Sequence, residues 1–217
     1  MLGLDLTTLI SRIIVLMTAF SVHEFAHAWT ANYFGDDTPR LNGRLTLNPA
    51  AHLDPLGSLM LIVAGFGWAK PVQVNPIALQ RRSPAALMWV ALAGPMSNLL
   101  MAAAAAIPLR MGLLTAYAAS PNNFVLSTLT QLFHDFVWIN LLLMLFNLIP
   151  VAPLDGDKIA DYLLPPNGQD VLARIRPYGP MILMVVVIGG PYIGINVLNW
   201  VIGPPLQFLF RILVGVG

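Results

Sequence analysis

Ser21-Val22-His23-Glu24-Phe25-Ala26-His27 reads H-E-x-x-H, and it lies inside a long apolar segment. Positions four apart on a helix face the same way, one turn on. His23 and His27 therefore offer two imidazoles to one metal ion, and Glu24 lies beside them, placed to take a proton from a metal-activated water. Zinc suits imidazole, and an open coordination position lowers the pKa of water to about 7. Three fixed letters are a weak pattern by themselves, and a lone histidine is often structural. The setting decides the reading, because two histidines and a carboxylate within a bilayer span are costly and mark a functional site.

The setting follows from composition. The 217 residues are 57% hydrophobic and 10% charged, with a mean hydropathy of +0.74. A soluble domain carries about 25% charge, so this chain cannot cover itself with a polar surface. An all-α polytopic membrane protein is expected, one membrane-embedded unit over residues 1–217 with no room for an appended soluble domain of ordinary size. The lipid bilayer is then a partner; a net charge of +1 without a basic run argues against nucleic acid. Cysteine is absent, which removes disulfides, thiolate ligands and a cysteine nucleophile. The first apolar stretch is too long for a signal peptide and has no basic start.

Residues 4–33 read as the first span, in which the run from Leu6 holds Arg12 as its one charge before the motif, and residues 84–109 and 124–149 read as further full spans. Residues 178–216 supply one broken span or two short ones, interrupted by Gly189-Gly190-Pro191 and Pro204-Pro205. Five to six transmembrane helices are expected in all. Residues 56–67 are apolar but too short to cross. With Trp68–Pro76, where prolines forbid a helix and valines alternate, they suggest a re-entrant and extended membrane-associated segment over about 53–76. Asn98, the polar group of the second full span, reads first as an inter-helix hydrogen bond.

The third ligand must come from elsewhere, and Asp155 is the candidate. It follows Pro150 and Pro153 in irregular backbone just beyond a span, which a membrane protein tolerates only along a cavity. His134 lies at the far end of that span, about 20 Å from Asn147 at helical rise, and reads as interfacial. For the motif to meet Asp155, spans 4–33 and 124–149 must run the same way and span 84–109 the opposite way. Arg40, Arg44, Lys70, Arg81, Arg82, Lys158, Arg174 and Arg176 then share the motif side, against Arg110 in the opposite connection. Positive charge favours the cytoplasm, so the site is expected toward that side.

Several motifs together resemble the site-2 protease family of intramembrane zinc metalloproteases, over roughly residues 10–165. His23-Glu24-Phe25-Ala26-His27 is similar to its first motif. Asn147-Leu148-Ile149-Pro150 through Pro153-Leu154-Asp155-Gly156 is similar to its second. Gly67 to Val72 with Asn75-Pro76 resembles its membrane-associated extended segment, and Gly94-Pro95 with Asn98 its G-P-x-x-N. The resemblance implies that His23, His27 and Asp155 bind zinc, that Glu24 is the general base, and that Asn147 helps hold the substrate or the oxyanion. No regulatory domain of the kind many relatives carry is visible, so a minimal member is expected.

The expected reaction is hydrolysis of a peptide bond in or near the transmembrane helix of a membrane-protein substrate. A helix hides its carbonyls, so the substrate must unwind, and Lys70–Asn75 offers an edge to hold the unwound strand. Lys70, Val72, Val74 and Asn75 are thus substrate-side candidates, with Asn98 and His52 behind them. His52 reads first as a side chain that fixes its own loop. The rival classes are a membrane metal-ion transporter, which calls for further ligands along a crossing path, and a non-catalytic scaffold, whose simplest signature is a replaced Glu24.

Overall fold

In a bilayer every backbone N–H and C=O must be satisfied within the chain, which favours helices as the means of crossing. The computed structural model describes residues 6–57, 68–114, 124–190, 194 and 196–215, and these are helical with no strand among them. Helix α1 spans Leu6–Tyr33 and carries the H-E-x-x-H motif in its C-terminal half. Short helices α2 (Thr38–Leu41) and α3 (Pro49–His52) follow, each with proline in its first turn. After an extended segment come α4 (Pro76–Arg82), α5 (Ala86–Arg110) and α6 (Phe124–Asn147). Beyond the Pro150–Pro153 break are α7 (Asp155–Leu163), α8 (Pro166–Ile175), α9 (Gly179–Met184) and α10 (Val197–Val214). A wider, π-helical turn over Val185–Gly189 continues α9.

Three of these helices are long and apolar enough to cross a membrane: Ala86–Arg110, Thr128–Asn147 and Val197–Val214. With the composition they make this an integral membrane protein. At 28 residues α1 is longer still, but the motif that gives it chemistry also lowers its hydropathy. Among the described residues length and apolarity support three spans; they do not confirm the expected five to six. The C-terminal region provides one of them, and α10 runs unbroken through Pro204 and Pro205, where an interruption was expected. Membrane helices tolerate such prolines because neighbours and local adjustment re-satisfy the freed carbonyls. Residues 58–67, the heart of the expected re-entrant stretch, lie outside the described residues.

Helix directions follow from the polar contacts. As α1 advances from His23 to His27, its partners on α5 go back from Asn98 to Val90, so α1 and α5 are antiparallel. Ser11 meets Asp135 early in α1, and the histidines meet Asp155 later, so α1 and α6 run the same way. Small residues let the backbones approach. Ala102, Ala105 and Ala106 of α5 pack against Val137, Leu141 and Met144 of α6 and Ile202 and Leu206 of α10. A second cluster, Ala31, Leu79, Ala86 and Val90, seats α4 against the end of α1.

Residues 68–75 contain no helix, as their prolines require, and are joined to the preceding loop by one antiparallel bridge, Leu53 to Ala69. The segment is tied down along its backbone. Lys70 N–H donates to His52 O at 2.8 Å, and Arg44 donates to Lys70 O at 3.2 Å. Val72 N–H donates to Glu24 Oε2 at 2.9 Å, and Asn75 N–H to the buried Asp36 Oδ2 at 2.6 Å.

Candidate metal centre

Helical spacing places the two imidazoles of α1 together, with rings nearly perpendicular at 85° and Nε2 atoms 3.0 Å apart. Asp155 completes a triangle, with Oδ2 3.2 Å from each Nε2. A tetrahedral zinc site with bonds of about 2.0–2.1 Å sets its ligand atoms about 3.3 Å apart. The observed edges of 3.0, 3.2 and 3.2 Å fit that geometry, and two imidazoles with one carboxylate fit the metal. Among the described residues this is the one group of three or more potential ligands close enough to share an ion.

Two glycines make the approach possible. A Cβ on Gly94 of α5 would fall on the His27 ring and on His23 Cε1, so the histidines pack where α5 has no side chain. A Cβ on Gly156 would strike the Leu148 and Ile149 carbonyls, so the residue after Asp155 must be bare for the proline loop to turn back. Asp155 is also the first residue of α7, where the positive end of the helix dipole favours a carboxylate. Its other oxygen faces Lys158 Nζ at 3.8 Å.

The centre lies at a cavity of about 710 Å³. His23, Glu24, His27, Asn147, Asp155 and Lys158 supply the polar part of its lining. Phe20, Leu143 and Phe146 line it from α1 and α6, and Pro180, Leu183 and Met184 from α9. Trp68, Val72 and Val74 line it from the extended segment. Asn147 donates one amide N–H to Leu143 O at 3.0 Å, which leaves a second.

Other expected substrate-side residues are placed elsewhere. Asn98 is fully buried behind His23, bonded to its Nδ1 and to Asn140, so it performs the inter-helix role and does not reach the cavity. His52 is fully buried too; its Nε2 pairs with Thr46 O, which fixes the loop. Asn75 caps α4, its side chain accepting from Ile77 and Ala78 N–H. Lys70 is exposed and does not line the cavity. His134 packs against Phe210, away from the metal ligands. Asn140 and the Val72–Glu24 bond were not singled out from sequence. Asn140 carried a signal, being an amide in an apolar span, while the bond joins groups 48 positions apart and had none.

Comparison with known proteins agrees with this geometry. The sequence profile of peptidase family M50 matches residues 110–190. YwhC of Bacillus subtilis strain 168, by name a candidate zinc metalloprotease, is 40% identical over 176 residues, which cover 81% of this chain and 79% of that protein. Rip2 of Mycolicibacterium smegmatis, named in the same way, is 33% identical over 79% of this chain, and the match covers 64% of its own length. Rip2 of Mycobacterium tuberculosis H37Rv is 29% identical over 78% of this chain and 63% of its own. No solved structure matches the chain. The extent of the YwhC match, together with the metal-ligand triangle and the apolar spans, leads to one conclusion: the chain belongs to peptidase family M50, the site-2 protease family.

Proposed function

We propose that this chain is an intramembrane zinc metalloendopeptidase that hydrolyses a peptide bond in or near the transmembrane segment of a membrane-protein substrate. One observation carries the reading: Glu24 and three metal-ligand side chains converge at a largely apolar cavity. The names of the relatives point to the same metal and reaction class. Held by His23, His27 and Asp155, zinc supplies Lewis acidity, lowering the pKa of a water to about 7 and polarising a carbonyl.

Glu24 takes the proton of the attacking water and returns it to the leaving amine. Val72 N–H holds Oε2, so Oε1 is the oxygen free for proton transfer. The second N–H of Asn147 is available to the carbonyl oxygen as charge develops on it. The extended segment receives the unwound substrate strand. Its inner edge is spent on the protein through Lys70 and Val72. Backbone groups alternate in direction along extended chain, and Gln73 N–H carries no hydrogen bond among the described residues. Gln73 is therefore the edge that pairs, while Val72 and Val74 line the cavity beside the substrate. The excess of basic residues on the motif side supports a centre that faces the cytoplasm.

Metal content of the detergent-purified chain tests the centre without a known substrate. About one zinc per chain, lost in both His23→Ala and Asp155→Ala, is the expected result. A folded wild type that takes up no zinc removes the protease reading. Loss with His23→Ala alone removes Asp155 from the site. A carrier would need a series of ligand groups, and among the described residues there is one.

A further inference from the structure

The two histidines are oriented by different means. His27 Nδ1 lies 2.7 Å from Val90 O. A backbone carbonyl only accepts, so Nδ1 carries the proton and Nε2 keeps its lone pair for a metal. His23 has no carbonyl behind it. Its Nδ1 is 2.5 Å from Asn98 Oδ1, and an amide side chain can turn either its oxygen or its nitrogen toward an imidazole.

Asn140 removes that choice. Asn98 Nδ2 donates to Asn140 Oδ1 at 2.9 Å, and Asn140 Nδ2 donates to Phe136 O at 2.8 Å. Both amides are 0% exposed, which denies them bulk water as a substitute partner. These bonds have one self-consistent direction. Phe136 O accepts only, so Asn140 turns its nitrogen to it and its oxygen to Asn98. Asn98 then turns its nitrogen to Asn140 and its oxygen to His23. His23 Nδ1 must donate, and its Nε2 is left bare toward His27 Nε2 and Asp155 Oδ2.

We propose that Asn140 is a positioning residue for the metal centre: acting through Asn98, it transmits the polarity of the Phe136 carbonyl across three helices and holds His23 in its metal-binding tautomer. The proposal rests on His23, His27 and Asp155 being the metal ligands. Partners behind a ligating histidine typically contribute 10–100-fold to metal affinity, and here the direct partner is itself held by a second amide.

The test is zinc affinity of the purified full-length chain, read by chelator competition, with the thermal midpoint of the zinc-free protein as folding control. Asn140→Leu keeps the approximate volume and breaks the relay, so Asn98 is free to turn and His23 is satisfied in either tautomer. Zinc binding should weaken about 10–100-fold. Asn140→Asp keeps the shape; buried without a cation it is neutral. Its O–H donates to Phe136 O and its other oxygen accepts from Asn98, so affinity should stay near wild type. A folded Asn140→Leu with wild-type affinity overturns the proposal, as do equal losses in the two variants. If Asn140→Leu does not fold, the wild-type chain decides. Nitrogen-15 NMR of the histidine-labelled, zinc-free protein should show a proton on His23 Nδ1, and an unprotonated Nδ1 overturns the relay. A wild type that binds no zinc overturns the ligand reading and this inference with it. Zinc bound equally by wild type and Asn140→Leu overturns this inference alone.

Discussion

The metal centre and the extended segment meet at Glu24, yet they are built in opposite ways. At the centre, side chains converge from three directions, are buried, and are held from behind by α5, through Val90 O and Asn98. In the segment the backbone is the held part, by Glu24, Arg44, His52 and Asp36 along its length, while Gln73 N–H has no partner among the described residues. A reaction centre needs ligand atoms fixed to a fraction of an ångström, which packed helices provide. A strand that accepts varied substrates needs backbone donors in the open, since backbone pairing does not depend on side-chain identity. The Val72–Glu24 bond joins the two, registering the extended segment to the proposed base.

Substitutions on either side of that junction separate the two designs. The largest effect is expected for Glu24→Gln, which should lower cleavage about 10²–10⁴-fold while zinc content stays at the wild-type level. Cleavage retained by this variant in a reconstituted assay would refute the base assignment. Gly94→Ala should follow. Its methyl falls on both imidazoles, so zinc affinity should drop by at least ~100-fold, the upper end of the loss seen when an outer partner of a ligand is removed. Unchanged affinity would mean that α5 gives way and that the centre is less rigid than its contacts imply.

On the segment side, Arg44→Ala deletes a buried guanidinium that donates to Ala51 O and Lys70 O. Bonds to charged groups are worth about 1.5–3 kcal/mol, so the thermal midpoint should fall while zinc stoichiometry holds. A variant that loses zinc in proportion to stability would show the two regions to be one cooperative unit. Gln73→Pro should be mildest, removing one edge donor worth about 0.5–1.5 kcal/mol. Cleavage should fall several-fold through KM with zinc binding untouched, and an unchanged KM would take the substrate off this edge. Proline at Val72 is no test of pairing, because it removes the N–H that holds Glu24.

Much of the site was legible because it depends on short-range regularities. Helical period alone puts His23 and His27 on one face with Glu24 beside them, and two prolines near Asp155 announce broken backbone at a span's end. The extended character of residues 68–75 followed from Pro71 and Pro76. Pro204 and Pro205 misled, since proline signals a break in water more reliably than in a packed membrane helix. Asn98, His52 and Asn75 carry polar groups that suit a substrate as well as a structural partner, and composition cannot choose between the two uses.

The sequence by itself determined the membrane class and pointed to the helix-borne half of the candidate metal centre and the loop that brings its third candidate ligand, because each rests on neighbours along the chain. Tertiary structure alone decided what holds those ligands: Gly94 under the two rings, Val72 N–H on Glu24, and the Asn140–Asn98 relay behind His23. These contacts join residues 42 to 75 positions apart. Their partners are set by which faces of α1, α5 and α6 come together, and no period within a single helix encodes that choice.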